Sequence, residues 1–82
     1  MSRVFKAAGI WALGADEVQW ILYRAQTRKT GPFWGPILFV SSTKATLKDR
    51  MREAGVERAA SEKLLEELPS TFRDWKTASR PV

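Results

Sequence analysis

The sequence predicts an α+β protein, in which a three-stranded antiparallel sheet is followed by two helices packed on one face and a short C-terminal helical turn. Two apolar segments joined by a glycine-containing connection predict a β-hairpin. A third apolar run ends at three residues with hydroxyl side chains, and apolar residues at helical spacing follow them. This order indicates a strand that leads into a helix. With 82 residues, 44% of them hydrophobic, the chain is sufficient for one small core.

The predicted hairpin consists of residues 4–13 and 17–26, joined by the Gly-Ala-Asp of residues 14–16. Apolar residues occupy consecutive positions from Trp20 to Tyr23, so both faces of the second strand are apolar. This pattern predicts a central strand, or a sheet that is covered on one side and exposes an apolar interaction surface on the other.

The third predicted strand runs from Trp34 to Ser41 and follows a polar, basic loop of residues 27–32. Gly35 and Pro36 near its start indicate an edge position or a β-bulge, because proline cannot donate a hydrogen bond to a ladder. A three-stranded meander is the simplest arrangement of these segments.

The first helix is predicted from Lys44 to Ala54. Residues 41–43 (Ser-Ser-Thr) are of the type that caps a helix N-terminus, and Leu47 begins an apolar repeat at helical spacing. Gly55 supplies a residue that readily adopts the left-handed conformation and predicts the end of this helix.

The second helix is predicted from Glu57 to Glu67, with an acidic exposed face, and Pro69 ends it. A further helical turn, residues 71–76, is capped by Ser70 and returns two aromatic rings to the core. We therefore expect residues 1–77 to form a single compact domain and residues 78–82 to form a flexible tail.

The composition argues against enzymatic activity. The chain has no cysteine and no histidine, which removes the commonest general acid–base group and most transition-metal ligands. It also lacks a glycine-rich phosphate loop. We expect no catalytic residues, no metal and no cofactor. No signal peptide is recognisable, and no apolar run approaches the roughly 20 residues that span a bilayer. The expected location is therefore the cytoplasm, without a membrane partner.

Basic residues are the first candidates for a binding surface, because the net charge of +5 favours contact with polyanions or acidic proteins. One group lies on the hairpin side, and the other recurs every four residues along the first helix. If the basic loop folds beside that helix, the two groups form one patch; otherwise they are a solvated helix face and a loop tip. The two groups are Arg24, Arg28 and Lys29, and Lys44, Lys48 and Arg52.

Aromatic residues are the second candidates. Helices can cover only one face of such a sheet, so we expect some rings to face outward as partner hot spots or base-stacking platforms and the rest to lie in the core. Among them, Trp34 is expected to contribute to partner binding. The whole set is Trp11, Trp20, Tyr23, Phe33, Trp34 and Phe39.

Residues 47–64 resemble a helix-turn-helix in the Ala-Gly-Val of residues 54–56 and in the spacing of the last leucine. The resemblance implies DNA binding through the second helix. The sequence departs from the family pattern at Met51, where a small residue usually stands, and at Ser61, where a β-branched apolar residue normally packs. Acidic residues on the second helix would also repel phosphates. The alternative is an ordinary helix pair with Gly55 as a C-cap.

A compact chain without catalytic groups predicts a non-catalytic protein that acts by stoichiometric protein–protein interaction. In size and self-contained character it is similar to the small accessory proteins of phages and mobile elements, including anti-CRISPR inhibitors. The expected partner is a protein with an acidic surface. Nucleic-acid binding through the basic helix stripe or the helix pair is the alternative, and a homodimer through the sheet face is a third.

Overall fold

A computed structural model describes residues 3–79 of the chain. Its four strands form one antiparallel sheet in the order β1-β2-β3-β4, so strands adjacent in sequence are also adjacent in the sheet. The α+β class is confirmed, with one strand more than predicted and a full third helix. The elements are β1 (Arg3–Ala8), β2 (Trp11–Ala15), β3 (Trp20–Arg28), β4 (Gly31–Val40), α1 (Lys44–Glu53), α2 (Arg58–Leu65) and α3 (Phe72–Ser79).

The prediction of three strands is wrong because the segment 4–13 folds back on itself at Gly9 and Ile10, which separate β1 from β2. Gly9 has a φ of +63°, a left-handed conformation that glycine adopts without steric cost. The predicted connection at residues 14–16 is also displaced. Its first two residues belong to β2, and the turn into β3 begins at Asp16.

Asp16 stabilises the β2–β3 turn through its side chain. Its Oδ1 accepts hydrogen bonds from the backbone N–H groups of Val18 (2.8 Å) and Gln19 (3.0 Å). The bond from Val18 is the largest cause that lowers the pKa of the Asp16 carboxyl below its ordinary value of 3.8. The ionised carboxylate therefore favours the folded state.

We expect the substitution Asp16→Asn to make the free energy of unfolding depend less steeply on pH under acidic conditions. Since the folded-state pKa is lowered, the carboxylate stabilises the fold above pH 3.8, and this contribution is lost as the pH falls through the folded-state pKa. Urea unfolding between about pH 6 and about pH 2 measures the difference. Asp49→Asn is the control, because Asp49 lies on the exposed face of α1. If the Asp16→Asn profile were as steep as that of the wild type, the turn would not depend on this carboxylate.

The core lies between the helices and one face of the sheet. Phe72 of α3 meets Trp20 of β3 edge-on, with ring centroids 5.4 Å apart. Because side chains alternate along a strand, the residues between these core positions face away from the helices. The largest fully buried side chains are Trp20, Leu13, Leu22, Leu47, Met51 and Leu64.

Helix α1 begins directly after the predicted capping residues 41–43 and ends before Gly55, the predicted stop. Thr43 is the N-cap, and its Oγ1 accepts a hydrogen bond from the N–H of Thr46 at 3.1 Å. Gly55 has a φ of +93° and ends the helix in a Schellman motif, in which the N–H groups of Gly55 and Val56 donate to carbonyls of the last turn at 3.1 and 3.0 Å. The interpretation of Gly55 as a cap is confirmed.

Helix α3 is longer than the predicted turn of residues 71–76. It begins after Thr71 rather than Ser70, because the Thr71 Oγ1 accepts the N–H of Asp74 at 3.0 Å. The helix continues through Ser79 and so includes the first two residues of the predicted tail. Residues 80–82 of that tail lie outside the described residues.

Candidate functional site

The sheet face opposite the helices, which we name the open face, is apolar. Cross-strand partners identify its members, since paired residues lie on the same face: Ile21 pairs with Phe39, and Ala25 pairs with Trp34. None of the residues that this pairing places on the open face is charged. They are Val4, Ala7, Ala12, Gly14, Ile21, Tyr23, Ala25, Thr27, Pro32, Trp34, Pro36 and Phe39.

Large apolar side chains are exposed where β4 borders the open face. Trp34 is 38% exposed, Ile37 42% and Phe39 54%. Beside them, Ile21 and Tyr23 are buried in a small second cluster on the same face. The expectation that some aromatic rings face outward is therefore correct for Trp34 and Phe39, whereas the ring of Trp20 is completely buried on the helix side. The open face combines a firmly packed centre with an exposed apolar border.

Strand β4 is an edge strand with a bulge, and both features agree with the prediction made from its proline. The pairing shifts between Leu22 and Tyr23, which leaves Ile37 as the extra residue. Pro32 and Pro36 occupy equivalent positions of the ladder, so their nitrogens point to the same side. A proline nitrogen directed at β3 would leave a carbonyl unpaired, so both point outward and remove two donors from the free edge. This edge is poorly suited to the addition of another strand.

The outer halves of β3 and β4 form a two-stranded unit, residues 24–35, which we name the ribbon; its first pair, Arg24 with Gly35, lies beside the end of β2, and the rest extends beyond it. β2 pairs with β3 only as far as Arg24, whereas β3 pairs with β4 to the Arg28–Gly31 pair. The prediction of a loop over residues 27–32 is wrong, because the connection consists only of residues 29 and 30. Cross-strand hydrogen bonds maintain the extended conformation of polar residues that have no core to face.

The predicted basic residues of the hairpin lie on the ribbon, away from the open face. The guanidinium of Arg28 stands 4.1 Å from the ring centroid of Phe33, and that of Arg24 stands 5.5 Å from the ring of Trp11. Between them, the side chain of Gln26 lies across Gly35, where a Cβ would collide with it. Lys29 occupies the turn at the tip and is exposed.

The distribution of charge along the sequence is a signal for the ribbon that the motifs do not contain. From Val18 to Lys48, both included, there is no acidic residue, whereas the same stretch contains five basic ones. Every position from Arg24 to Thr30 is exposed. The excess positive charge of the chain is therefore concentrated in β3, β4 and the start of α1. It is most exposed on the ribbon.

The basic stripe of α1 shares its surface with acidic groups. Lys44 Nζ donates a hydrogen bond to the carbonyl of Leu68 at 3.1 Å, and the guanidinium of Arg52 lies 3.7 Å from the carboxylate of Asp49. Lys48 and Arg52 line a groove between α1 and α2 together with Glu62. Arg24 instead lines a different depression, next to Gly55 and Lys63. Arg24 and the α1 pair of Lys48 and Arg52 thus line different depressions.

The exposed face of α2, the helix expected to read DNA in the helix-turn-helix interpretation, is acidic and engaged in ion pairs. Glu62 lies 3.1 Å from Arg58, and Glu66 lies 2.7 Å from Lys6 of β1. The hydrogen bond between Lys6 and Glu66 is the largest cause that raises the pKa of Lys6 and lowers that of Glu66. These carboxylates would repel phosphates and argue against DNA contact through α2.

Residues 3–79 contain no group of three or more potential ligands that could hold a metal ion. Within the same part of the chain, no helix has the length and apolar character needed to cross a membrane. No protein-family model, no curated protein and no solved structure matches this sequence.

Proposed function

We propose that this is a non-catalytic binding protein that acts by stoichiometric contact between its open face and a protein partner. The observation that carries the proposal is an apolar face without charged residues, with Trp34, Ile37 and Phe39 exposed along its border. Burial of apolar surface stabilises a complex by about 25 cal/mol per Å² before the costs of association. Exposed apolar side chains grouped along one strand, as on this border, mark interaction sites, and aromatic anchors contribute much of the binding energy.

The proposed mode of binding is docking onto the face rather than addition of a strand to the β4 edge. The outward prolines Pro32 and Pro36 reduce the donors available on the free edge of β4. The anchors stand on a hydrogen-bonded sheet, and Ile21, the cross-strand partner of Phe39, is buried. Little side-chain and backbone freedom is therefore lost when a partner binds, which favours affinity.

The partner is proposed to present an apolar patch with acidic residues around it. The net charge of +5 favours encounter with an acidic surface, and the positive charge lies outside the face that would be buried. This arrangement separates the surface that attracts a partner from the surface that holds it. A stoichiometric inhibitor of the anti-CRISPR kind, which acts by covering the surface of an enzyme, needs no further chemistry.

The proposal predicts that Trp34→Ala weakens the complex with a captured partner at least about ten-fold, which corresponds to about 1.4 kcal/mol, because truncation of an aromatic hot spot costs about 2 kcal/mol or more. The partner is captured with the tagged protein from its native host, and the affinity is measured with purified components. Lys48→Gln, on α1, is the control. An unchanged affinity of the Trp34→Ala variant would place the contact elsewhere. A mass of twice 9.3 kDa for the purified chain alone would instead assign the face to a homodimer.

A further inference from the structure

We propose that the ribbon binds duplex DNA in the major groove through the side that carries its arginines. Arg24, Gln26 and Arg28 alternate along β3 and therefore project from one side of the ribbon. Residues two apart in a strand are separated by about 6.6 Å, close to two base-pair steps of about 3.4 Å. The three side chains are thus spaced to contact the groove at regular intervals.

The chemistry of these three residues suits base edges. Arginine donates two hydrogen bonds to guanine O6 and N7, and glutamine pairs in the same bidentate manner with adenine N6 and N7. In addition, the rings of Phe33 and Trp11 support the two guanidinium groups at 4.1 and 5.5 Å. Because the guanidinium groups are already restrained by these contacts, less conformational freedom is lost when they bind.

The dimensions of the ribbon also fit. Two strands about 4.8 Å apart form a unit that a major groove about 12 Å wide admits. From Ala25 outward the ribbon extends past the end of β2, so this strand does not obstruct the groove walls there, whereas Arg24 is still paired with Trp11 of β2. Lys29 at the tip is placed to contact a phosphate, and no acidic residue occurs in β3, β4 or their connection.

One carboxylate limits the site at its inner end. Glu57, before α2, lines the same depression as Arg24, together with Lys63. A phosphate approaching the base of the ribbon would meet this negative charge. The substitution Glu57→Gln is therefore expected to strengthen DNA binding. A substitution that only damaged the fold would not strengthen it.

The inference goes beyond the proposed function, because it uses another side of the protein. Trp34 lies on the side of the ribbon that continues the open face, whereas Arg28 lies on the side that continues the helix-covered face. Trp34→Ala should leave DNA affinity within about two-fold of wild type, as expected for independent sites. Failure of either proposal therefore leaves the other unaffected.

The test measures fluorescence anisotropy of a labelled random-sequence DNA duplex at salt concentrations from about 50 to about 200 mM. We expect the double substitution Arg28→Gln and Lys29→Gln to weaken binding at least about ten-fold and to reduce the salt slope by about one, because only Lys29 of this pair is assigned to a phosphate. The control pair is Lys48→Gln and Arg52→Gln, which removes the same charge from α1. Circular dichroism establishes that both variants remain folded.

Three results would overturn the inference. The first is absence of binding to the duplex at low salt, and the second is equal loss of affinity in the control pair, which would indicate general charge attraction. The third is equal affinity for duplex RNA, whose major groove is too narrow for side chains to read. Tighter binding by the Glu57→Gln variant and a preference for DNA over RNA would support the site.

Discussion

Replacement of Trp20 by alanine should remove most of the stability of the fold. Trp20 is completely buried, and its ring lies 5.4 Å from that of Phe72 and 6.4 Å from that of Trp75. Truncation of a buried aromatic residue costs about 3–5 kcal/mol, through lost burial and the cavity left behind. The total stability of domains starts at about 5 kcal/mol, so a large part of the variant should be unfolded without denaturant.

The measurement is urea unfolding followed by far-UV circular dichroism, because Trp20 itself contributes to the fluorescence. Trp20→Phe is the matched variant, since it keeps an aromatic ring in contact with α3. The indole Nε1 has no hydrogen-bond acceptor among residues 3–79, so the phenylalanine variant loses packing but no hydrogen bond to these residues. It should be distinctly more stable than the alanine variant. Equal midpoints for the two variants would contradict a central role for the ring.

The parts of the fold that were predictable depend on contacts within a few residues. The cap at Thr43 and the stop at Gly55 each act through hydrogen bonds to the adjacent helical turn, so a short sequence window contains the cause. The irregularity at Pro36 was predictable for the same reason, because a missing donor is a property of the residue itself.

The missed fourth strand shows the limit of local patterns. Gly9 lies within an apolar segment, where the same residue type can mark a bulge or a turn, and Ile10 gives the turn an apolar appearance. The ribbon was missed for a complementary reason. Its exposed residues show no apolar alternation, and their extended conformation depends on pairing with the partner strand.

The candidate sites were predictable as residue types but not as surfaces. Arg28 and Lys48 are both basic candidates by residue type, yet whether they share a surface depends on the direction in which the ribbon extends relative to α1. Apolar residues on both sides of β3 indicate two apolar faces, but they do not tell which one the helices cover. Gln26 was overlooked because a single glutamine acquires meaning only beside the two arginines of the same strand.

Placing a carboxylate on the open face with Phe39→Asp should abolish partner binding and leave the fold intact. Phe39 is 54% exposed and pairs with Ile21 on this face. A complex would have to bury the new charge in an apolar interface without a counter-charge, which costs several kcal/mol. An affinity loss of 100-fold or more, about 2.7 kcal/mol, is therefore expected.

Isothermal titration calorimetry with the captured partner measures this loss, and Val18→Asp provides the matched control. Val18 is 62% exposed in the β2–β3 connection, so the same charge is added outside the open face. The control variant should bind like the wild type, and both variants should remain folded because neither position is in the core. The Phe39→Asp variant should still bind duplex DNA, apart from the weakening that one added negative charge produces in both variants. If Val18→Asp and Phe39→Asp reduced partner affinity equally, net charge rather than the open face would determine binding.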